Sequence, residues 1–167
     1  NGENKELVLI PGHQHVTRER IEVLGLCLRN PVPEGKSLRE TIDAVRDAGG
    51  VPVMPWSPGK WRGRRGRVLG SFVDNPGDGP WLLGDSLMRP ASVMEPQLFT
   101  RAREAGAFVV PGSDSLPFAG EEKLVGRFAM TCRVEGLDTA VAIRTALTEP
   151  HLPRHAVGRR LPLLRVA

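Results

Sequence analysis

Apolar residues in this chain fall into short runs punctuated by glycine, proline and charge, and the spacing inside each run separates strands from helices. Residues 7–10 form a brief apolar run stopped by Pro11 and Gly12, which reads as a buried strand. Residues 21–28, IEVLGLCL, are dense in Val, Ile and Leu and predict a second strand. A well-punctuated helix follows. Ser37 is a good N-cap, Glu40 completes a capping box, and Leu38, Ile42 and Val45 recur on one face, opposite Arg39, Asp43, Arg46 and Asp47. Gly49 and Gly50 end it, and residues 51–54, VPVM, predict the next strand. Strand, helix and strand between glycine turns predict a parallel βαβ unit.

Residues 57–80, with PGKWRGRRG and then NPGDGP, read largely as a loop. Residues 81–84 predict a strand, 98–105 a helix closed by Gly106, and 107–110 a strand that again follows Ala-Gly. A last helix runs from an N-cap at Asp138 through Val141, Ile143 and Leu147 to Pro150. The chain then divides into one α/β domain over 1–150 and a basic, proline-containing, extended tail over 151–167. Residues 51–54 and 107–110 are expected to be parallel strands of one sheet, with the helix from Ser37 packed on it. Met88, Met94, Phe99, Phe108, Phe118 and Phe128 read as packing residues.

A chain of 167 residues, 40% hydrophobic and 25% charged, fits one globular domain and excludes a disordered chain. No apolar run approaches membrane-spanning length and none reads as a signal peptide, so no membrane partner is expected. The two separated cysteines, Cys27 and Cys132, sit inside apolar runs and read as buried free thiols of a reduced, cytoplasmic protein. The chain opens on Asn1 and not on methionine, which suggests a start inside a longer product. The net charge of +4 hides a strong asymmetry. Lys60, Arg62, Arg64, Arg65 and Arg67 crowd one stretch; Arg154, Arg159, Arg160 and Arg165 stand in the tail; the remainder has an excess of acid. This is an acidic body with two basic appendages, unlike a uniformly basic nucleic-acid protein.

Three polar segments each follow a short apolar run, at residues 12–15, 55–60 and 111–115. That is where α/β sheets and barrels place reactive groups, at the carboxyl ends of parallel strands. At spacing two on an extended segment, His13 and His15 face the same way, which suits metal ligation, with Asp114 as a further donor. The competing reading makes the histidines exposed loop residues and Asp114 a turn residue that binds backbone amides. In the basic stretch, arginine forks match phosphate oxygens and Trp56 or Trp61 can stack on a base, which predicts a phosphorylated small molecule or other anion as partner. Its competitor is a solvated connector. No GxxxxGK[ST], GxGxxG or GxSxG motif occurs, so a standard nucleotide cradle and a nucleophile elbow are both unsupported.

The order of VLIPGHQHVT with EVLGLCL, then SLRETIDAVRDAGGVPVMPW, then GAFVVPGSDSLPFAGEEKLVGRF resembles the PHP (polymerase and histidinol phosphatase) family of metal-dependent phosphoesterases, over roughly residues 7–148. The resemblance implies an α/β, parallel-strand, distorted TIM-like barrel, incomplete at its N-terminal side. It also implies a phosphoesterase or hydrolase homologue with a degenerate metal site. The family's metal-binding glutamate falls on Gln14, its strand-end histidine on or beside Trp56, and the histidine closing its Gly-Ser-Asp motif on Leu116. Its opening His-x-His strand would precede Asn1, and Asp114 matches residue for residue. A divalent zinc, manganese or iron ion is therefore expected to be weakly held or absent. An exposed sheet edge is expected to need an N-terminal segment, an oligomeric partner or the tail to cover it. The alternative implied is a noncatalytic structural or anion- or nucleic-acid-binding module that keeps the fold.

Overall fold

The computed structural model describes residues 8–116, 118–133 and 139–162. Alternation, and not the leading apolar run, sets the first strand. β1 spans Gly12–Val16, with His13 and His15 turned inward and Gly12, Gln14 and Val16 outward. Residues 8–10 before it stay irregular, and Leu9 is exposed. Pro11 therefore precedes the strand instead of ending one, a position where its missing N–H costs no ladder bond.

β2, Glu22–Leu26, pairs antiparallel with β1. Helix α1, Leu38–Asp47, has the expected capping box: the Glu40 amide donates to Ser37 Oγ, and the Ser37 amide donates to Glu40 Oε2 at 2.8 Å. β3, Val51–Pro55, is antiparallel to β2, which corrects the parallel unit expected there. Residues 27–37 explain the reversal. They carry the chain back along the sheet before α1 begins, with the Arg18 amide bonded to the Lys36 carbonyl and the Leu38 amide to Glu19 Oε2. Gly25 permits this return, because a Cβ there would lie 2.7 Å from Leu28 Cδ2.

The stretch read as a loop contains helix α2, Gly63–Asp74, whose Leu69, Phe72 and Val73 are buried. β4, Leu82–Ser86, helix α3, Gln97–Glu104, and β5, Phe108–Gly112, complete two parallel crossovers. Residues 51–54 and 107–110 thus contribute to parallel strands of one sheet, with β4 between them. β6, Phe128–Cys132, and β7, Arg154–Gly158, form a separate antiparallel ladder on either side of helix α4, Thr139–Thr148. The expected N-cap Asp138 lies outside the described residues.

The five-stranded sheet runs β1-β2-β3-β4-β5, and among the described residues no barrel closes. This overturns the expected PHP-like barrel, and the packing supplies the reason. One sheet face packs on α1, α2 and α3 through Ile42, Met54, Leu83, Phe72 and Phe99. The other face, which a barrel would turn inward, is filled by Leu147 and Ile143 of α4 and Met130 of β6 against Val51, Val53 and Leu82. A sheet covered on both faces has no lumen to enclose. Both cysteines are free but only half-buried. Met94 and Phe118 are exposed, at 89% and 67%, against their reading as packing residues. Among the described residues no helix is long and apolar enough to cross a membrane.

Candidate functional site

Because β3, β4 and β5 are parallel, their carboxyl ends share one edge of the sheet. β2 runs the other way and brings its first residue, Glu22, to that edge. Lys60, on the connection after β3, pairs with Glu22 there. At the end of β4, Ser86 Oγ accepts from the Met88 amide at 3.0 Å and donates to Asp114 Oδ2 at 3.2 Å. Asp114 follows β5 in a left-handed turn (φ 50°), a conformation Asp tolerates better than most residues. Much of Asp114 faces solvent, but its carboxyl turns in to Ser86. Burial of that group, helped by the negative Glu22, raises its pKa above the ordinary carboxylate value; Ser86 and Lys60 oppose the rise.

Beside this cluster lies a buried ion pair. Arg89 Nε and Nη2 grip both oxygens of Asp85 at 2.7 and 2.6 Å, and Asp85 Oδ1 also accepts from the Ser86 amide. Arg89 is 2% exposed; its Nη1 donates to the Val93 carbonyl at 3.0 Å, and its guanidinium lies over Phe99. The loop of residues 90–96 is thereby tied to the end of β4.

The histidines lie on β1, whose last residue, Val16, pairs with Glu22. Their rings lie 6.3 Å apart on one face of β1, inside the strand and not at its carboxyl end. His13 Nε2 is 3.0 Å from the Arg29 carbonyl oxygen. His15 is 1% exposed, and neither ring nitrogen has a hydrogen-bond partner. Burial, then the neighbouring His13, lowers its pKa, with Glu34 opposing. The structure brings His13 and His15 together on β1, and it bonds the Asp114 carboxylate to Ser86. Among the described residues no group of three or more His, Cys, Asp or Glu is placed to hold a metal ion. Two imidazoles fall short of the donor set a divalent cluster needs. Gln14, where the family's glutamate would fall, points to the opposite side of β1 from both histidines.

The five cations expected to form one basic patch have different companions. Lys60 turns to Glu22. Arg62 is the N-cap of α2 without a capping bond and lines a cleft beside Trp56. Arg65 donates to the Gly59 carbonyl, and Arg67 lines a groove between α2 and α3. Arg64 is exposed on the first turn of α2, and none of these four arginines forms an ion pair among the described residues. Glu22, Ser86 and the Asp85–Arg89 pair escaped the sequence reading. One signal was present: Asp85 and Ser86 close the apolar run WLLGDS just as the three singled-out segments close theirs. Compared with protein-family models and with curated proteins, the chain matches none.

Proposed function

We propose that this chain binds a phosphorylated ligand at the carboxyl ends of β3, β4 and β5 and acts on it as a phosphoesterase-like hydrolase. The observation that carries this reading is the grouping of Asp114, Ser86, Lys60 and Glu22 at that edge, with the carboxyl of Asp114 shifted toward its protonated form. A carboxyl poised in that direction suits proton transfer to or from an oxygen of a phosphate ester. Ser86 fixes its orientation through one hydrogen bond. Lys60 supplies a cation that an incoming phosphate contests with Glu22, and Arg62 stands nearby on the same connection without an anionic partner. Attack by water would form a new P–O bond as the ester P–O bond breaks, with Asp114 giving its proton to the departing oxygen and recovering one released by the attacking water. The histidine pair and Asp114 do not fit a divalent cluster, so no step passes through a metal.

The noncatalytic alternative uses the same site for binding alone, and it is favoured because, among the described residues, no group of three or more His, Cys, Asp or Glu stands ready to hold the metal on which the family's hydrolysis depends. Phosphate titration by calorimetry together with p-nitrophenyl phosphate turnover separates the two. Lys60→Ala should weaken phosphate binding several-fold, and Asp114→Asn should abolish turnover while phosphate still binds. Turnover absent from the wild type with phosphate binding intact would leave the binding module. Equal phosphate binding by the wild type and Lys60→Ala would remove both readings.

A further inference from the structure

The connection at residues 56–62 and the loop at residues 90–96 enclose a cleft of about 600 Å³ on the side of the sheet that α1, α2 and α3 cover. That size is typical of a site for one small organic ligand. Trp56 and Trp61 form one wall; Trp61 is braced edge-on against Phe99 at 5.4 Å between ring centroids, and both tryptophans rest on the core. Val93 and Met94 form the facing lip, at 40% and 89% exposed. An exposed apolar lip opposite indole rings leaves apolar surface wet on both sides of the opening. The cleft's position is fixed from beneath, because buried Arg89 holds the Val93 carbonyl and Asp85 at once. Pro58 stiffens the tryptophan side by locking its own φ. Arg62 lines the same cleft, exposed and without an ion pair. Apolar walls with one free guanidinium match a ligand with a flat apolar body and an anionic group attached to it.

We infer that this cleft receives the aromatic ring of a phosphorylated ligand, so that the substrate class is an aromatic phosphate of nucleoside monophosphate size. The ring lies between Trp56 and Met94, and its phosphate extends past Arg62 toward Lys60. The inference rests on the phosphate-binding reading above and adds the ring subsite to it. The polarizable, flexible thioether of Met94 suits it to close over a ring. Stacking on one indole face accounts for a gain of about tenfold in affinity over phosphate alone.

The test is a calorimetric titration of the full chain with AMP, adenosine and inorganic phosphate. AMP should bind about tenfold more tightly than phosphate. That AMP-to-phosphate ratio should fall to about one in Met94→Glu, whose exposed position leaves folding undisturbed, and should persist in Trp56→Phe, which keeps an aromatic face. A wild-type ratio near one, or a Met94→Glu ratio equal to that of the wild type, overturns the ring subsite. Phosphate bound without preference for AMP would sink the cleft and spare the phosphate reading. Adenosine bound with AMP no tighter than adenosine would sink the phosphate reading and spare the cleft.

Discussion

The histidine pair on β1 and the acid–cation cluster at the strand ends face the same physical problem and answer it differently. In both, burial is the largest cause of a shift toward the neutral form, down for the buried His15 and up for the partly exposed Asp114. The strand-end groups are answered by partners: Ser86 for Asp114, Lys60 for Glu22, Arg89 for Asp85. His15 has none for either nitrogen. Compensation is what separates groups a protein can use from groups it only tolerates.

Arg89 offers the largest way to break that contrast. Arg89→Ala strands Asp85, whose side chain is 11% exposed, and should cost about 3–5 kcal/mol in urea unfolding. The double change Arg89→Met with Asp85→Leu should recover most of that loss, since neither charge then remains buried. A loss below about 1 kcal/mol for Arg89→Ala would show that compensation at the strand ends is worth no more than a surface pair.

His15 sharpens the contrast from the other side. His15→Leu removes two unpartnered nitrogens and should stabilise the fold by about 1 kcal/mol at pH 7.5. With its folded pKa below the unfolded value of about 6.5, His15 binds fewer protons folded than unfolded, so its contribution is present above that pH and is lost as pH falls through it. Asp114 has the opposite sign: its raised folded pKa makes the native state the better proton acceptor, so acidification favours folding at that residue. Urea midpoints at pH 7.5 and pH 5 should therefore converge in His15→Leu, and Asp114→Asn should lose stability relative to the wild type as pH is lowered from 5 toward the ordinary carboxylate range. Parallel profiles for all three proteins would erase the distinction.

The smallest effect belongs to the exposed arginines. Replacing Arg62, Arg64 and Arg65 together with Ser should change unfolding free energy by no more than about 0.5 kcal/mol. The direction should be stabilising, because α2 carries these cations, and no acid, at its positive end. The same variant should lose phosphate affinity and much of its salt dependence. A large stability loss would mean that these cations are engaged like Arg89.

Elements with local signals were legible in the sequence: the capping box at Ser37 and Glu40, and the strands after Ala-Gly at Val51 and Ala107. Helix α2 was not, although Leu69, Phe72 and Val73 have helical spacing, because Gly63, Gly66 and Gly70 mimic a loop. Gly66 is there for close approach, since a Cβ would fall 2.4 Å from the Trp61 carbonyl oxygen. The direction of β2 was hidden for another reason. It depends on residues 27–37, which form no regular element and carry no periodic pattern. In the site, Asp114 was visible from its turn, whereas Glu22 and Ser86 gain their roles only from strands distant in sequence. The exposure of Met94 could not be read from its type, because thioethers are at home in cores and at binding lips alike.

Strand position across the large sheet follows strand order along the chain, from β1 to β5. As the polypeptide leaves the ribosome from its N-terminal side, each new strand therefore meets a free flank left by the one before it. No strand already seated has to be parted to admit a later one. The β1–β2 pair needs only a tight reversal, and each of the next two parallel additions arrives with its own helix, so most closures are short. The exception is the β6–β7 ladder, whose partners Met130 and Ala156 meet only after α4 has emerged. A nascent chain halted after β5 can hold the whole acid–cation edge in place while the sheet's second face still awaits its helix.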